Sequence, residues 1–486
     1  MSSLTGSESV LAEADADPLT DRLLAHPRPA VIWGGVAALL LLVEAGALAE
    51  VSLRLLADLV GALPGVGDAA SVAALADAAG GVPTLLSRET IPNQGYWNGS
   101  AYVGTFLGLQ PAWAWLIRVA LVYAYAFACL LWVYVGFEWY RTHYRVADWT
   151  PRDDTVDRLR GHRWGLFGLA VVFMFVTMAV FAPALGPTTV DQNLANPYSH
   201  QISYWTGSEV ATSPVGDANL GSRSQGNAQT NVGPWSYDDF GRFHPFGTLP
   251  SGKDLFTFIA AGSRISLVIG LLSVGLSAGV ATVFALLSAY YKGRVDDGLI
   301  LLSDSVMGMP QLLLLIMLSV VLAGTWIGNL YSGAFVLALI FAGTGWPYMW
   351  RSLRGPALQV SEQEWVDAAR SFGQTPGTIM RKHMLPYITG YLLIYGSMTL
   401  GGAIIAIAGL SFLGLGVDPP TPEWGRAVNA GQEYVTTASW HISLIPGALI
   451  TLVVTGFNAM GDGIRDAIDP ESDSAEGEAG GRGGGA

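Results

Sequence analysis

Charge is scarce in this chain. Asp, Glu, Lys and Arg make up 13% of its 486 residues, and 51% are hydrophobic. A soluble domain carries about a quarter charged residues, so the shortage argues against one and points to a membrane protein. Lysine is nearly missing: Lys253, Lys292 and Lys382 are the only three, and the net charge is −13. That balance removes the basic surface on which nucleic-acid binding depends. It resembles the acidic, lysine-poor surfaces of proteins from halophilic, salt-accumulating organisms, where screening relieves carboxylate repulsion. The single cysteine, Cys129, excludes an intramolecular disulfide and a cysteine metal cluster. Its place in the apolar run Val122–Val135 reads as core packing.

Catalytic signatures are missing too. The seven histidines show no i, i+4 pair or metal-ligand spacing, and neither a Gly-x-Ser-x-Gly elbow nor a His-Glu-x-x-His helix occurs. No enzyme activity, metal or cofactor is therefore expected of this chain. Gly247-Thr248-Leu249-Pro250-Ser251-Gly252-Lys253-Asp254 nearly spells a Walker A loop, but Asp254 stands where a hydroxyl should ligate magnesium and would repel phosphate.

What is present is a series of long apolar runs. Crossing the hydrocarbon takes about 20 mostly apolar residues as helix, because no water is there to satisfy backbone groups. Eight windows qualify: Ala30–Ala49, Ala112–Phe137, Trp164–Leu185, Ile265–Ala289, Leu299–Leu322, Leu330–Trp350, Ile388–Leu410 and Ser443–Met460. Basic residues are retained on the cytoplasmic side. Glu138–Arg163 holds six arginines and Arg351–Pro386 holds four and Lys382, whereas Val51–Pro111 has only Arg54 and Arg88. The expected topology puts both termini in the cytoplasm and both Val51–Pro111 and Gly186–Gly252 outside. Met1–Arg28 lacks the basic start and small-residue cleavage site of a signal peptide, so the first span is expected to direct insertion.

The expected organisation is a disordered cytoplasmic terminus (1–28), two transmembrane helices with an external segment (29–138, with 51–111 outside) and a basic linker (139–163). A span (164–185), an external cap (186–253) and a helical core (254–466) follow, then an acidic Gly-rich tail (467–486). Val51–Leu63 reads either as an amphipathic surface helix or as part of a small external bundle. Asn98-Gly99-Ser100 is a glycosylation pattern, short enough to arise by chance. Asp304 lies in an apolar run and is read either as pathway lining or as a structural hydrogen-bonding group. Asp296 and Asp297 read as solvated, and Glu44 as interfacial.

A polar insertion at 362–386 interrupts the apolar pattern. It reads as two short helices and a turn, with Trp365, Ala368, Ala369 and Phe372 at helical spacing on one narrow apolar face and Glu364, Asp367, Arg370 and Ser371 around it. Gly373 suits a helix C-cap, and Pro386 the point of return to the membrane. Such a knob either packs on its own bundle or docks into a groove of another protein.

The spacing Asp367-Ala368-Ala369, Gly373, Leu385-Pro386 resembles the EAA loop of ABC importer permeases, with aspartate in place of glutamate. His244-Pro245-Phe246-Gly247-Thr248, Gly262-Ser263-Arg264, Leu410-Ser411-Phe412-Leu413-Gly414, Pro419-Pro420-Thr421-Pro422, Trp424-Gly425 and Gly461-Asp462 are similar to segments of the dipeptide/oligopeptide and nickel branch. The resemblance covers 244–470. It implies an all-α six-helix permease core, here with two extra N-terminal transmembrane helices. It also implies partners: a second permease, two ATPase subunits that bind ATP and magnesium, and an extracellular solute-binding protein. The residues that would meet the ATPase are Glu364, Asp367, Ala368, Ala369, Arg370, Gly373, His383, Leu385 and Pro386. The substrates implied are di- or oligopeptides, with nickel or oligosaccharides as alternatives. A self-sufficient secondary transporter or channel is the rival of a different class, although no internal repeat supports it.

Overall fold

The computed structural model describes residues 18–62, 69–82, 84, 87–146, 150–222, 231–328, 333–417 and 419–468. The terminus 1–17 and most of the acidic tail lie outside the described residues. Two units are distinguished: residues 1–151 with 203–211, and 152–202 with 212–486.

In the first unit, Leu19–Ala25 and Pro27–Val43 meet at 96°. The bend falls at His26 because Pro27, lacking an N–H, begins the second helix. Pro27–Val43 packs on the 33-residue helix Pro111–His143 through Trp33 and Trp132, whose rings stack at 4.3 Å. Each indole N–H donates to the other tryptophan's carbonyl, at 3.1 and 3.0 Å. Cys129 on this helix is half-buried, not sealed in a core. Glu44 sits at the break that ends Pro27–Val43 and is buried, 7% exposed. Ala45–Ala62 then forms a hairpin with Ala69–Gly80, with Arg54 bridging Glu50 (2.8 Å) and Asp77 (3.4 Å). Most of the Val51–Leu63 stretch thus lies in a helix that packs on a second one, and Leu63 lies outside the described residues. Arg118 went unremarked in the sequence; it is fully buried and donates to the Ile91 carbonyl (3.0 Å) and Asn93 Oδ1 (2.8 Å), anchoring the chain before its helix. Asn98 Oδ1 accepts from the Ser100 and Ala101 amides and closes the turn between Tyr96–Trp97 and Tyr102–Val103.

The second unit is helical throughout its core. Arg163–Val180, Leu255–Tyr291, Ala334–Ser361, Pro376–Phe412 and His441–Ile468 are the long members. Leu255–Tyr291 makes its most extensive packing with Ala334–Ser361, and Arg163–Val180 with His441–Ile468. Phe175 lies edge-on to both Trp424 and Phe457, joining three elements in one apolar cluster. A second cluster, around Trp350, Leu353, Ile379 and Met384, carries the polar insertion.

Among the described residues, five helices are long and apolar enough to cross a membrane, and two bent pairs raise the number to seven, not eight. The expected span Leu299–Leu322 is one of the bent pairs: Gly293–Met307 and Gln311–Ala323 meet at 80°. Pro310 explains this, because it lacks a backbone donor and biases Met309 away from helix. The window 330–350 falls on Ala334–Ser361, where the Gly343-Thr344-Gly345-Trp346-Pro347 stretch and Arg351 dilute an otherwise apolar run.

Candidate functional site

The polar insertion folds into a short helix, Glu364–Ser371, followed by a second that runs unbroken into the next span as Pro376–Phe412. The expected second short helix is thus the first part of that span. Met380–Met384 forms one wide π-type turn within it, and Pro386 occupies the first turn of its regular part. Gly373 ends the first helix at φ +74, a left-handed conformation that glycine adopts without a Cβ penalty. Its amide donates to the Arg370 carbonyl at 2.9 Å and that of Gln374 to the Ala369 carbonyl at 3.2 Å, which satisfies two of the terminal carbonyls.

The apolar residues divide between two faces. At 100° per residue, Trp365, Ala368 and Phe372 fall together, while Val366 and Ala369 form an adjoining stripe. Val366 and Ala369 are buried (0 and 4% exposed) on the cluster that includes Ile379 and Met384. Trp365 (40%), Ala368 and Phe372 (85%) face outward. The single apolar face read from the sequence is therefore corrected: Val366 was left out, and Ala369 alone of the four residues named is buried. The helix is both seated and displayed.

Aromatic and ionic contacts hold it in place. Arg370 lies 4.8 Å above the Tyr290 ring and 3.3 Å from Asp367 Oδ1. Trp365 stacks on Tyr387 at 5.2 Å, and the Ser371 hydroxyl donates to the Asp367 carbonyl at 3.0 Å. His383 Nε2 meets Gln374 Oε1 at 2.9 Å across the turn, and Lys292 pairs with Glu362 at 3.2 Å. Glu364, Asp367, Ala368, Gly373 and Pro386 remain exposed; Arg370, His383 and Leu385 are half-buried. The stacking of Trp365 on Tyr387 sets the short helix beside the start of the following one, with Ala369 buried beneath. Tyr290 and Tyr387 are supports that the loop's own periodicity could not reveal.

Two ion pairs brace the helices behind the loop. Arg351 bonds Asp304, both about half exposed, so Asp304 is a paired group. Arg354 grips Asp296 with both ends of its guanidinium, and the Ser288 hydroxyl donates to the same carboxylate. Asp296 is therefore not merely solvated. Arg354→Met, which leaves that carboxylate unpaired, should cost about 1–3 kcal/mol. A thermal-unfolding cycle with Asp296→Asn should recover part of the loss, whereas additive effects would deny the pair any role.

The Walker-like stretch has a different use. Asp254 is 1% exposed and caps the helix Leu255–Tyr291, accepting from the Thr257 amide at 2.6 Å.

Residues 281–473 match the family described as binding-protein-dependent transport system inner membrane component, and residues 150–201 match the N-terminal TM domain of oligopeptide transport permease C. Both matches begin at residue 150 or later. The glutathione transport system permease protein GsiD of Escherichia coli O6:K15:H31 is 36% identical over 228 residues, 47% of this chain and 72% of the relative. The oligopeptide transport system permease protein OppC of Bacillus subtilis is 30% identical over 318 residues, 65% and 89% of the two chains. The dipeptide transport system permease protein DppC of Alkalihalophilus pseudofirmus is 29% identical over 325 residues, 67% and 91%. With its apolar helices and the order of its motifs, the chain belongs to the family of binding-protein-dependent transport system inner membrane components, as an all-α membrane permease and not an enzyme.

Proposed function

We propose that this chain is the permease subunit of an ATP-dependent importer of di- or oligopeptides, coupled to its ATPase through the helix Glu364–Ser371. One observation carries the reading. Val366 and Ala369 fix that helix to the chain's own core while Trp365, Ala368 and Phe372 are held out beside Asp367 and Arg370. A large aromatic at 85% exposure is a liability unless a partner covers it. A helix so seated can pass a push from a motor subunit into Ala334–Ser361 and Pro376–Phe412 as a rigid lever. Relatives that are glutathione, dipeptide and oligopeptide permeases favour a peptide substrate over nickel or oligosaccharides.

In this reading a second permease completes the path, two ATPase subunits bind ATP and magnesium, and a solute-binding protein delivers substrate. The loop side is cytoplasmic, as are both termini, and 186–253 faces outward. Residues 29–138 are an addition to the core. Asp304, held by Arg351, is a candidate group on the translocation path.

The test is thiol protection. In a Cys129→Ser background, Phe372→Cys should react readily with a maleimide in the isolated permease and at least tenfold more slowly once the cognate ATPase is bound. Equal reactivity in the two states would refute docking at this face. A Leu107→Cys control, also highly exposed, should be unaffected.

A further inference from the structure

The polar segment before Leu255–Tyr291 contains a buried cluster of charge that the transport reading does not use. His244 is 3% exposed, Asp254 1% and Asp238 8%. His244 Nδ1 lies 2.9 Å from Asp254 Oδ2, and Nε2 lies 3.5 Å from Asp238 Oδ2. Arg242 Nε donates to Asp238 Oδ2 at 2.7 Å, and its Nη1 to Asn219 Oδ1 at 2.7 Å. Ser222 Oγ donates to the same aspartate at 3.1 Å. Asn193 brackets Asp254 from another stretch of chain, accepting from its amide (2.8 Å) and donating to its carbonyl (3.0 Å).

Each ring nitrogen of His244 therefore faces a carboxylate. A neutral imidazole carries one N–H and one lone pair, and would turn that lone pair on an anion. Charge balance agrees: Asp238, Asp254 and Arg242 together leave one buried negative charge, which an imidazolium cancels. The charged groups facing the ring are Asp238, from the hairpin Ser236–Tyr237/Phe243–His244, and Asp254, from the helix start. Arg242 stands behind Asp238, and Lys253 turns to the Leu194 carbonyl at 3.2 Å.

We propose that His244 is a doubly protonated clasp that ties the hairpin 236–244 to the capped start of helix Leu255–Tyr291 and comes undone at alkaline pH. Burial alone would lower the histidine, but the nearby Asp238 and Asp254 carboxylates, the second hydrogen-bonded to Nδ1, outweigh it and raise it above its ordinary value. For a group raised on folding, the stabilisation is complete below the unfolded value and is lost as pH climbs through the folded one. Asp238 sets the acid limit. Burial pushes it up, yet His244 and Arg242 hold it down to about 2, so its contribution is lost as pH falls from the ordinary carboxylate range towards that value. Between the two limits the clasp is closed.

The experiment uses the full chain in lipid nanodiscs. The stability advantage of the native protein over His244→Gln should shrink with rising pH, about tenfold in the folding constant per pH unit between the unfolded and folded values. A gap constant from pH 6 to 10 would overturn the proposal. Should the variant not fold, histidine labelled with 13C at Cε1 in the native protein decides. One of the seven histidine signals should keep its imidazolium shift at a pH where solvent-exposed histidines are neutral. If all seven lose their protons in the ordinary range, the clasp does not exist. Neither readout depends on an ATPase, so failure here is distinct from failure of the coupling reading.

Discussion

Gly168→Leu should unfold or misassemble most of the protein. A Cβ at residue 168 would lie 2.3 Å from the Met460 amide nitrogen and 2.6 Å from the Gly456 carbonyl oxygen, and backbone atoms cannot step aside as a side-chain tip can. The approach is mutual. A Cβ on Gly463 would sit 2.6 Å from Gly165 Cα, and one on Gly456 would sit 2.5 Å from Val171 Cγ1. Arg163–Val180 and His441–Ile468 thus cross backbone against backbone, the small-residue packing on which helix association in lipid relies, where tails are as apolar as leucine. Overpacking against backbone costs about 3 kcal/mol or more. Monodispersity and thermal midpoint in mild detergent are the measurements, and a midpoint equal to that of the native protein would refute the crossing. Gly447→Ala on the same C-terminal helix is the control, because nothing lies within 4 Å of the added carbon, and it should be neutral or mildly stabilising.

Phe372→Asp should weaken ATPase binding by roughly 30-fold, which corresponds to about 2 kcal/mol at a central aromatic of an interface. Its own fold should be untouched, since Phe372 is 85% exposed. Asp367→Arg adds a reversed charge next to Arg370 and should compound the loss. The measurement is a titration of the cognate ATPase against the permease in nanodiscs, with thermal unfolding run in parallel. Native affinity for Phe372→Asp, with its fold intact, would remove the aromatic from the interface. Val366→Asp is informative by contrast. It places a carboxylate at a fully buried position and should release the helix from its seat, lowering stability and coupling together.

Much of the architecture was legible because membrane helices announce themselves by length and composition. Seven of the eight windows coincide with single or bent candidate spans, and the polar insertion at 362–386 stood out against them. The position of Gly373 was legible as the end of a helix, whereas Asp254 had been read only against a Walker A loop and its place at the start of Leu255–Tyr291 was not. Facing was harder to read. Trp365, Ala368, Ala369 and Phe372 share a helical period, but a period does not say whether core or solvent meets it. The weaker signal of Val366 with Ala369, three residues apart, marked the seat. Asp296 read as solvated because its partner Arg354 is 58 residues away, and the two readings of Asp304 stayed open because Arg351 is 47 away.

The sequence by itself determined the class and the lineage: apolar runs long enough for a bilayer, too little charge for water, and motifs in the order of one permease family. Those properties are additive along the chain, so they survive without coordinates. Only the tertiary structure decided which face of the helix Glu364–Ser371 is buried, where Pro310 bends a span, and that His244 sits between two aspartates. Each depends on residues distant in sequence meeting at a few ångströms, and no local pattern encodes the identity of a distant neighbour.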